Sequence, residues 1–421
     1  MSAGPRRGSL LVIFLTVFVD LLGFGMVLPL LPNYAAEFDV DEHGVAIGLL
    51  MSSFSAMQFL CAPLWGRLSD RVGRRPVLMV GLGGSAVCYL LFAVATVQTN
   101  LTLLFISRIG AGVAGATIST AQAYIADVTR PEERTRGMAL IGAAFGLGFT
   151  FGPLLGAGAL ALAENGALSP WPGYAAAALS AGALLLAIFV LPESLSAGAR
   201  PRRHAIFDVA SLRTALAIPS IGLLLCSSFM SIFSFANLES TLALLLKQPV
   251  GGFELSDKRV LFVFAYIGLV LSLAQGGLVR RLAGRVADGA LAVAGVTISA
   301  VGFALMILAA GQGSVALLLV ALAIEVTGFS FVSPSINALV SRRSNPTQQG
   351  GILGLLQSAS ALARIFGPMV GVPLFYLSPA LPFAAGTGLM ILTLLLVSVA
   401  VRSGRDYEVE EPAAPDAVAA S

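Results

Sequence analysis

Five charged side chains lie within long apolar stretches of this 421-residue chain, where charge is otherwise rare. On insertion scales, a charge at the centre of a membrane helix costs about 2.5–3.5 kcal/mol, so such a group pairs with another or faces water or a ligand. A carboxylate that stays unpaired in that environment binds a proton instead. The five residues are Asp20, Arg108, Glu239, Glu325 and Arg364.

The three carboxyl groups are the candidate proton carriers, because neither histidine lies within an apolar stretch. We rank Asp20 and Glu325 first, since each lies about 10–15 residues into a spanning segment and so near its middle, and Glu239 next. Two structural alternatives stay open: Glu325 and Arg364 could form an ion pair, and Asp20 could tie its helix to a neighbour. Amide side chains are weaker candidates for lining a cavity; they are Gln58, Asn237, Gln275 and Gln357.

The segment Gly66–Pro76 has the most specific pattern in the chain, with an aspartate among four arginines. Gly66 and Gly73 permit a tight turn between antiparallel helices, and Pro76 suits the first turn of the next helix. Membrane topology could account for the arginines, but it does not explain Asp70. We therefore predict a conformational role for this segment, with topology alone as the alternative.

Glycines recur every four residues at Gly148, Gly152 and Gly156, which places them on one face of a helix. Small residues let helix backbones approach closely. This face either slides during a conformational change or packs statically.

All these residues need a membrane scaffold. Hydrophobic residues make up 57% of the chain and charged residues 11%, with a mean hydropathy of +0.89, which excludes a soluble protein. Apolar runs of about 20 residues predict an all-α integral membrane protein with twelve transmembrane helices. The predicted centres lie near Val19, Phe54, Val87, Gly112, Phe149, Leu184, Met230, Leu269, Val301, Ile324, Leu362 and Leu392.

Basic residues are distributed unevenly among the predicted connections. Twenty of the 25 fall on the side of the N-terminus, three on the other side and two within spans, so we expect both termini to be cytoplasmic and the protein to be multi-pass in the plasma (inner) membrane. The longest polar stretch predicts a cytoplasmic linker over 193–215. It separates an N-terminal six-helix bundle, 1–192, from a C-terminal one, 216–402, and the acidic tail 403–421 is expected to be disordered.

The two predicted bundles share motifs at nearly one offset. Gly66–Arg74 corresponds to Gly277–Arg285, and Gly152–Pro153 corresponds to Gly367–Pro368. Arg281 replaces the aspartate in the second copy, so we expect the two loops to behave differently. Two parallel six-helix repeats are typical of transporters that bind substrate between their halves.

These motifs together resemble those of the Major Facilitator Superfamily, and within it the twelve-helix drug:proton antiporters of the tetracycline-efflux type. Gly66–Arg75 resembles the signature loop Gly-x-x-x-Asp-Arg-x-Gly-Arg-Arg, and Arg108 with Gly112 resembles the Arg-x-x-x-Gly motif. Asp20–Pro32 is similar to the first helix of these pumps. The antiporter motif of the fifth helix is matched by Gly142, Gly146, Gly148, Gly152, Pro153 and Gly156.

The resemblance implies a latch that closes the cytoplasmic side in one state. At the matching positions it is formed by Gly66, Asp70, Arg71, Gly73 and Arg74, with Asp127 and Arg134 as partners. The resemblance also implies that the first, fourth, seventh, tenth and eleventh helices line a cavity. The five intramembrane charges would then face water or substrate.

The implied function is secondary active transport by alternating access, most specifically proton-coupled efflux of a small amphiphilic compound or drug, as in multidrug resistance. The third span has no acidic residue and the eighth no histidine, unlike tetracycline pumps, so we expect a related amphiphile rather than tetracycline. A proton-coupled symporter or facilitator of a metabolite, or a non-transporting sensor, remains the alternative. We expect no enzyme activity, cofactor, metal or nucleic-acid partner; the expected partners are substrate, protons and the lipid bilayer, around a monomer.

Overall fold

The computed structural model describes residues 7–37, 43–129, 134–162, 168–195, 218–248, 253–282, 284–344 and 349–406. Most of the predicted linker and tail lies outside these ranges. Within 134–162, the surroundings of Gly142 and of the Arg134 side chain are likewise not described.

Twelve of the described helices are long and apolar enough to cross a membrane, and each predicted centre falls within one of them. The predicted number and the all-α fold class are therefore confirmed. The first six are α1 (Arg7–Val27, continued by Leu31–Ala36), α2 (Val45–Val72), α3 (Arg74–Val97), α4 (Leu101–Gly115, continued by Ile118–Val128), α5 (Arg134–Leu160) and α6 (Trp171–Val190). The last six are α7 (Pro219–Lys247), α8 (Asp257–Leu273, continued to Leu282), α9 (Asp288–Gln312), α10 (Val315–Arg343), α11 (Gln349–Leu377) and α12 (Leu381–Ser403).

Three of these helices are interrupted. A turn over 28–30 breaks α1 just before Pro32, and α4 is broken between Gly115 and Ile118. In α8 the backbone widens to a π-helix over Ala274–Val279, a conformation that occurs mostly as short insertions at functional positions.

The duplicated Gly-Pro motif makes equivalent contacts in the two halves. In each half the fifth helix packs against the first, α5 on α1 and α11 on α7. A Cβ atom added to Gly152 would lie 2.8 Å from the Cα of Gly25, and one added to Gly367 would lie 2.7 Å from the Cβ of Ala236. Glycine is needed at both positions because the partner helix leaves no room for a side chain.

The two halves contact each other mainly through α2 with α11 and α5 with α8. At the centre, the Ser52 hydroxyl donates a hydrogen bond to the Ile365 carbonyl at 2.5 Å, and the hydroxyls of Thr150 and Ser272 lie 3.3 Å apart. We call the end of the bundle where α1 begins and α12 ends the terminal face, and the other end the opposite face.

The halves are held together at the opposite face by a charge cluster. Lys247, at the end of α7, binds Glu37 of the first half at 3.3 Å and Asp257 of α8 at 3.0 Å. Nearby, a Cβ atom on Gly48 of α2 would lie 2.8 Å from the Pro368 carbonyl of α11. The helix contact is therefore tight on this side.

The same helices leave open space toward the terminal face. An added Cβ atom would meet no heavy atom within 4 Å at four glycines of α2, α8 and α11, namely Gly66, Gly276, Gly277 and Gly354. The described contacts between the halves thus concentrate at the centre and the opposite face.

Candidate coupling and substrate site

Arg108 lies at the centre of the first half, in α4, and is 2% exposed. Its guanidinium stands 4.7 Å from the ring centre of Phe54 and 5.8 Å from that of Phe24, which gives cation–π attraction in place of an ion pair. Its Nε atom is buried without a hydrogen-bond partner, and no carboxylate of the described residues forms an ion pair with it. The site holds a buried cation that an anionic group could neutralise.

Asp20 points into the interior of the first half. The hydroxyl of Ser180 in α6 donates to its Oδ1 atom at 3.4 Å, and Ser85 of α3 provides a second hydroxyl contact. Asp20 is half-buried. These contacts fit the alternative in which this carboxyl group ties α1 to its neighbours.

In the second half, Arg364 of α11 interacts electrostatically with Glu239 of α7. The two charges are coupled without a direct ion pair, and Arg364 is exposed although it lies within a spanning helix. The alternative pairing of Arg364 with Glu325 is replaced by this one. The acidic Glu239 and the basic Arg364 therefore lie within range of an electrostatic interaction, on two helices that are expected to line the cavity.

Glu325 is enclosed between α9 and α10 and is 1% exposed. The Ser299 hydroxyl lies 3.3 Å from its Oε1 atom, and its Oε2 atom has no hydrogen-bond partner. A Cβ atom on Gly302 would come within 2.6 Å of the Glu325 backbone, so the two helices are in close contact here. This carboxyl group lies in helix packing, apart from the Arg364 couple.

The four amide candidates divide into two groups. Gln58 donates to the Gly115 carbonyl at 3.2 Å and joins α2 to α4. Asn237 is 1% exposed and donates to the Pro382 carbonyl at 3.1 Å, so it joins α7 to α12 and does not line a cavity as predicted. Gln275 and Gln357 are exposed, as a cavity role requires.

Arg74 is the centre of the predicted latch segment. Its side chain is bound by Asp70 at 2.5 Å, by Asp127 at 3.1 Å and by the Ser69 hydroxyl at 2.6 Å. The residue is only 7% exposed. All of these contacts lie within the first half, and Arg71 is exposed. Among the described residues, the contacts of Arg74 thus organise the latch segment within its own half.

Glu193, which follows α6, holds this segment from outside and escaped the sequence analysis. Its carboxylate accepts backbone N–H bonds from Arg74 at 2.9 Å and Arg75 at 3.1 Å, and from Ser194 and Leu195 at 2.9 and 3.0 Å. A carboxylate at the first turn of α3 satisfies free N–H groups and favours the helix dipole. The only sequence signal was the acidic residue directly after Pro192 at the end of a span.

The glycines of α5 pack against two neighbouring helices. Gly148 and Gly152 pack on α1 of the same half, whereas Gly146 faces Ser272 of α8, and Gly156 touches both α1 and α8. This helix also contacts the second half through Gly268 of α8, which fits directly against the Phe149 backbone.

The fold and these contacts define a twelve-helix transporter built from two related halves. A model of the Major Facilitator Superfamily matches residues 13–368, and the chain belongs to this family.

Relatives of the chain include two differently named groups. The class C tetracycline resistance protein of Escherichia coli is 33% identical over 371 residues, which cover 86% of this chain and 89% of that protein. Human major facilitator superfamily domain-containing protein 10 is 34% identical, with 93% of each chain covered. The crystal structure of the human organic anion transporter MFSD10 superposes with a TM-score of 0.69 at 29% identity, over 94% of this chain and 100% of that one.

Proposed function

We propose that this protein is a proton-coupled exporter of small amphiphilic organic compounds, which it moves across the plasma membrane by alternating access. The observation that carries the proposal is the Glu239–Arg364 couple, a carboxyl group and a guanidinium on two spanning helices that are near enough to interact electrostatically. Charge in that environment is energetically costly, so it is found mainly where it has a function. The names of the tetracycline resistance relatives support drug export as the direction.

Coupling requires that proton binding and substrate binding change the charge of the same site, so that each affects the other. When Glu239 is ionised it neutralises Arg364, and when it binds a proton Arg364 is left without its counter-charge. Substrate release and proton uptake on one side would then be linked. An inward proton releases about 1.4 kcal/mol per pH unit, plus about 2.3 kcal/mol per 100 mV if charge moves.

Sidedness follows from the distribution of arginines. The positive-inside rule assigns the terminal face, with both termini, to the cytoplasm. Because the contacts between the halves concentrate at the opposite face, the terminal face would then be open, and this form would take up substrate from the cytoplasm. We further propose that the bundles 1–192 and 216–402 move as units within a monomer, and that the segment around Asp70 latches the terminal face when it closes.

A second candidate is transport of organic anions, which Arg108 specifically favours. A buried guanidinium between two phenyl rings, without an ion-paired carboxylate, suits an aromatic or aliphatic compound that carries an acidic group. The relative described as an organic anion transporter adds support. Glu239 would still supply the proton site.

The test is transport into proteoliposomes under an imposed pH gradient, with matched amphiphiles that are cationic, neutral or anionic. We expect accumulation that a protonophore abolishes. Glu239→Gln should remove the dependence on the gradient, while Glu254→Gln, an exposed acid outside the helices, should keep it. Arg108→Gln should reduce transport of anionic compounds selectively. Gradient-driven transport that survives Glu239→Gln would contradict the coupling assignment, and absence of flux for every class would favour a sensor.

A further inference from the structure

A groove of about 600 Å³ opens between α9, α10 and α12 at the terminal face. Its wall along α9 extends from Ala287 to Ala294, about two helical turns or roughly 10 Å. Most of its lining is small or apolar, with Ala290, Val293, Ala294, Leu339 and Val401. Such a surface suits a hydrocarbon chain that lies beside the helices.

The two arginines that end α10 stand at the mouth of this groove. Arg342 is half-exposed, and it is bound by Asp288 at 2.8 Å and by Asp406 at 3.8 Å. These two carboxylates therefore compensate the outer arginine.

Arg343 is different because it is 5% exposed. Its Nη1 atom donates to the Ala400 carbonyl at 2.9 Å. Its Nε atom is buried and has no hydrogen-bond partner, and no carboxylate of the described ranges forms a direct ion pair with it. A buried polar group without a partner points to a ligand that would complete its contacts.

We propose that this groove binds one anionic phospholipid, with the phosphate at Arg343 and Arg342 and an acyl chain along the α9 wall. Two features support this occupant. Arg343 is the arginine at the mouth that no direct ion pair of the described ranges compensates, and guanidinium groups bind phosphate through paired N–H groups. The lining along α9 is small or apolar over about two turns, which suits an acyl chain. Basic pockets between spanning helices are known to bind lipid headgroups in this way.

Native mass spectrometry of the full-length protein tests the proposal, with phosphatidylglycerol, phosphatidylcholine of the same chains and inorganic phosphate as probes. We expect phosphatidylglycerol to stay bound in preference to phosphatidylcholine, and excess inorganic phosphate not to displace it. Arg343→Gln should lower the bound fraction about tenfold, the loss expected for one charged hydrogen-bonding group. Ala290→Phe, at an exposed position of the wall, should block binding with both arginines in place.

Arg280→Gln is the matched control, since Arg280 is an exposed arginine on the same face, and it should leave lipid binding unchanged. Equal retention of the two lipids, or unchanged binding in the Ala290→Phe variant, would overturn the proposal. Displacement by inorganic phosphate would reassign the site to a free anion. If Arg343→Gln fails to fold, as a melting curve would show, Ala290→Phe decides the question alone.

Discussion

The two copies of the arginine-rich loop have similar sequences and different structures. After α2, Arg74 is nearly buried and is bound by Asp70 and Asp127, while Glu193 binds the backbone at the start of α3. In the second copy, Gly277–Arg285, the described side chains are exposed or half-buried, and Arg281, which stands at the position of Asp70, is exposed.

The difference shows what a single acidic residue does in a basic loop. An aspartate lets a neighbouring guanidinium leave water because its charge is compensated, whereas a further arginine keeps the group in solvent. The duplicated sequence therefore predicts duplicated helices, but among the described residues it is the first loop that forms a network. Four substitutions can break or sharpen this contrast.

The largest effect is expected from Asp70→Asn, which removes the negative charge that holds Arg74. We expect transport to fall at least about tenfold with normal expression, because a conformational bias of about 1.4 kcal/mol already gives that factor. Substrate flux in proteoliposomes measures it. Arg281→Asn, at the equivalent position of the second loop, should transport like the parent protein; equal loss in both variants would remove the asymmetry.

Gly73→Ala should be more damaging to stability than Gly284→Ala. Gly73 has a φ of 108°, and an added Cβ would collide with the Glu193 carboxylate; Gly284 has a φ of 78°, with nothing within 4 Å of that position. We expect the first change to lower the free energy of unfolding by about 1–3 kcal/mol and the second by about 1 kcal/mol. Denaturant titration in detergent compares the two variants. Equal losses of the free energy of unfolding would show that the Glu193 carboxylate moves aside for the added Cβ atom.

Glu193→Gln should lower stability by about 1 kcal/mol, because an amide replaces a carboxylate at the positive end of α3. Thermal melting of the purified protein measures this change, with Glu254→Gln as the control. No difference between the two variants would mean that solvent replaces the Glu193 contacts without cost.

The smallest effect is expected from Gly277→Ala in the π-helix of α8. Nothing lies within 4 Å of the added methyl group, and alanine reduces the conformational freedom of the unfolded chain. Stability should rise by about 0.5 kcal/mol, again by denaturant titration. A loss would show that the wide turn needs glycine for its backbone.

The helices were predictable because span length and apolar composition depend little on the neighbours. All twelve predicted centres fall within spans, and the two copies of the Gly-Pro motif lie at equivalent helix contacts. The partners of the intramembrane charges were harder to predict. Depth along a helix does not determine which way a side chain points, so Arg364 was weighed against Glu325 although its charged neighbour is Glu239.

Long-range contacts also escaped the sequence. Glu193 meets Arg74 across 119 residues, and no local pattern joins them. Asn237 looked like a cavity residue because it is polar within a span, yet it binds the Pro382 carbonyl of another helix. A polar group in a membrane helix forms a hydrogen bond wherever helix packing brings a partner close.

Double electron–electron resonance would test the central claim, alternating access with a latch in the first loop, most directly. Spin labels at Val72 and Arg281 would report the terminal face, and labels at Trp171 and Leu381 the opposite face, after replacement of Cys61, Cys88 and Cys226. We predict two distances at each face that change in opposite senses with pH and substrate, and loss of the short terminal distance in Asp70→Asn. A single terminal distance, or a short one that persists in Asp70→Asn, would contradict the account.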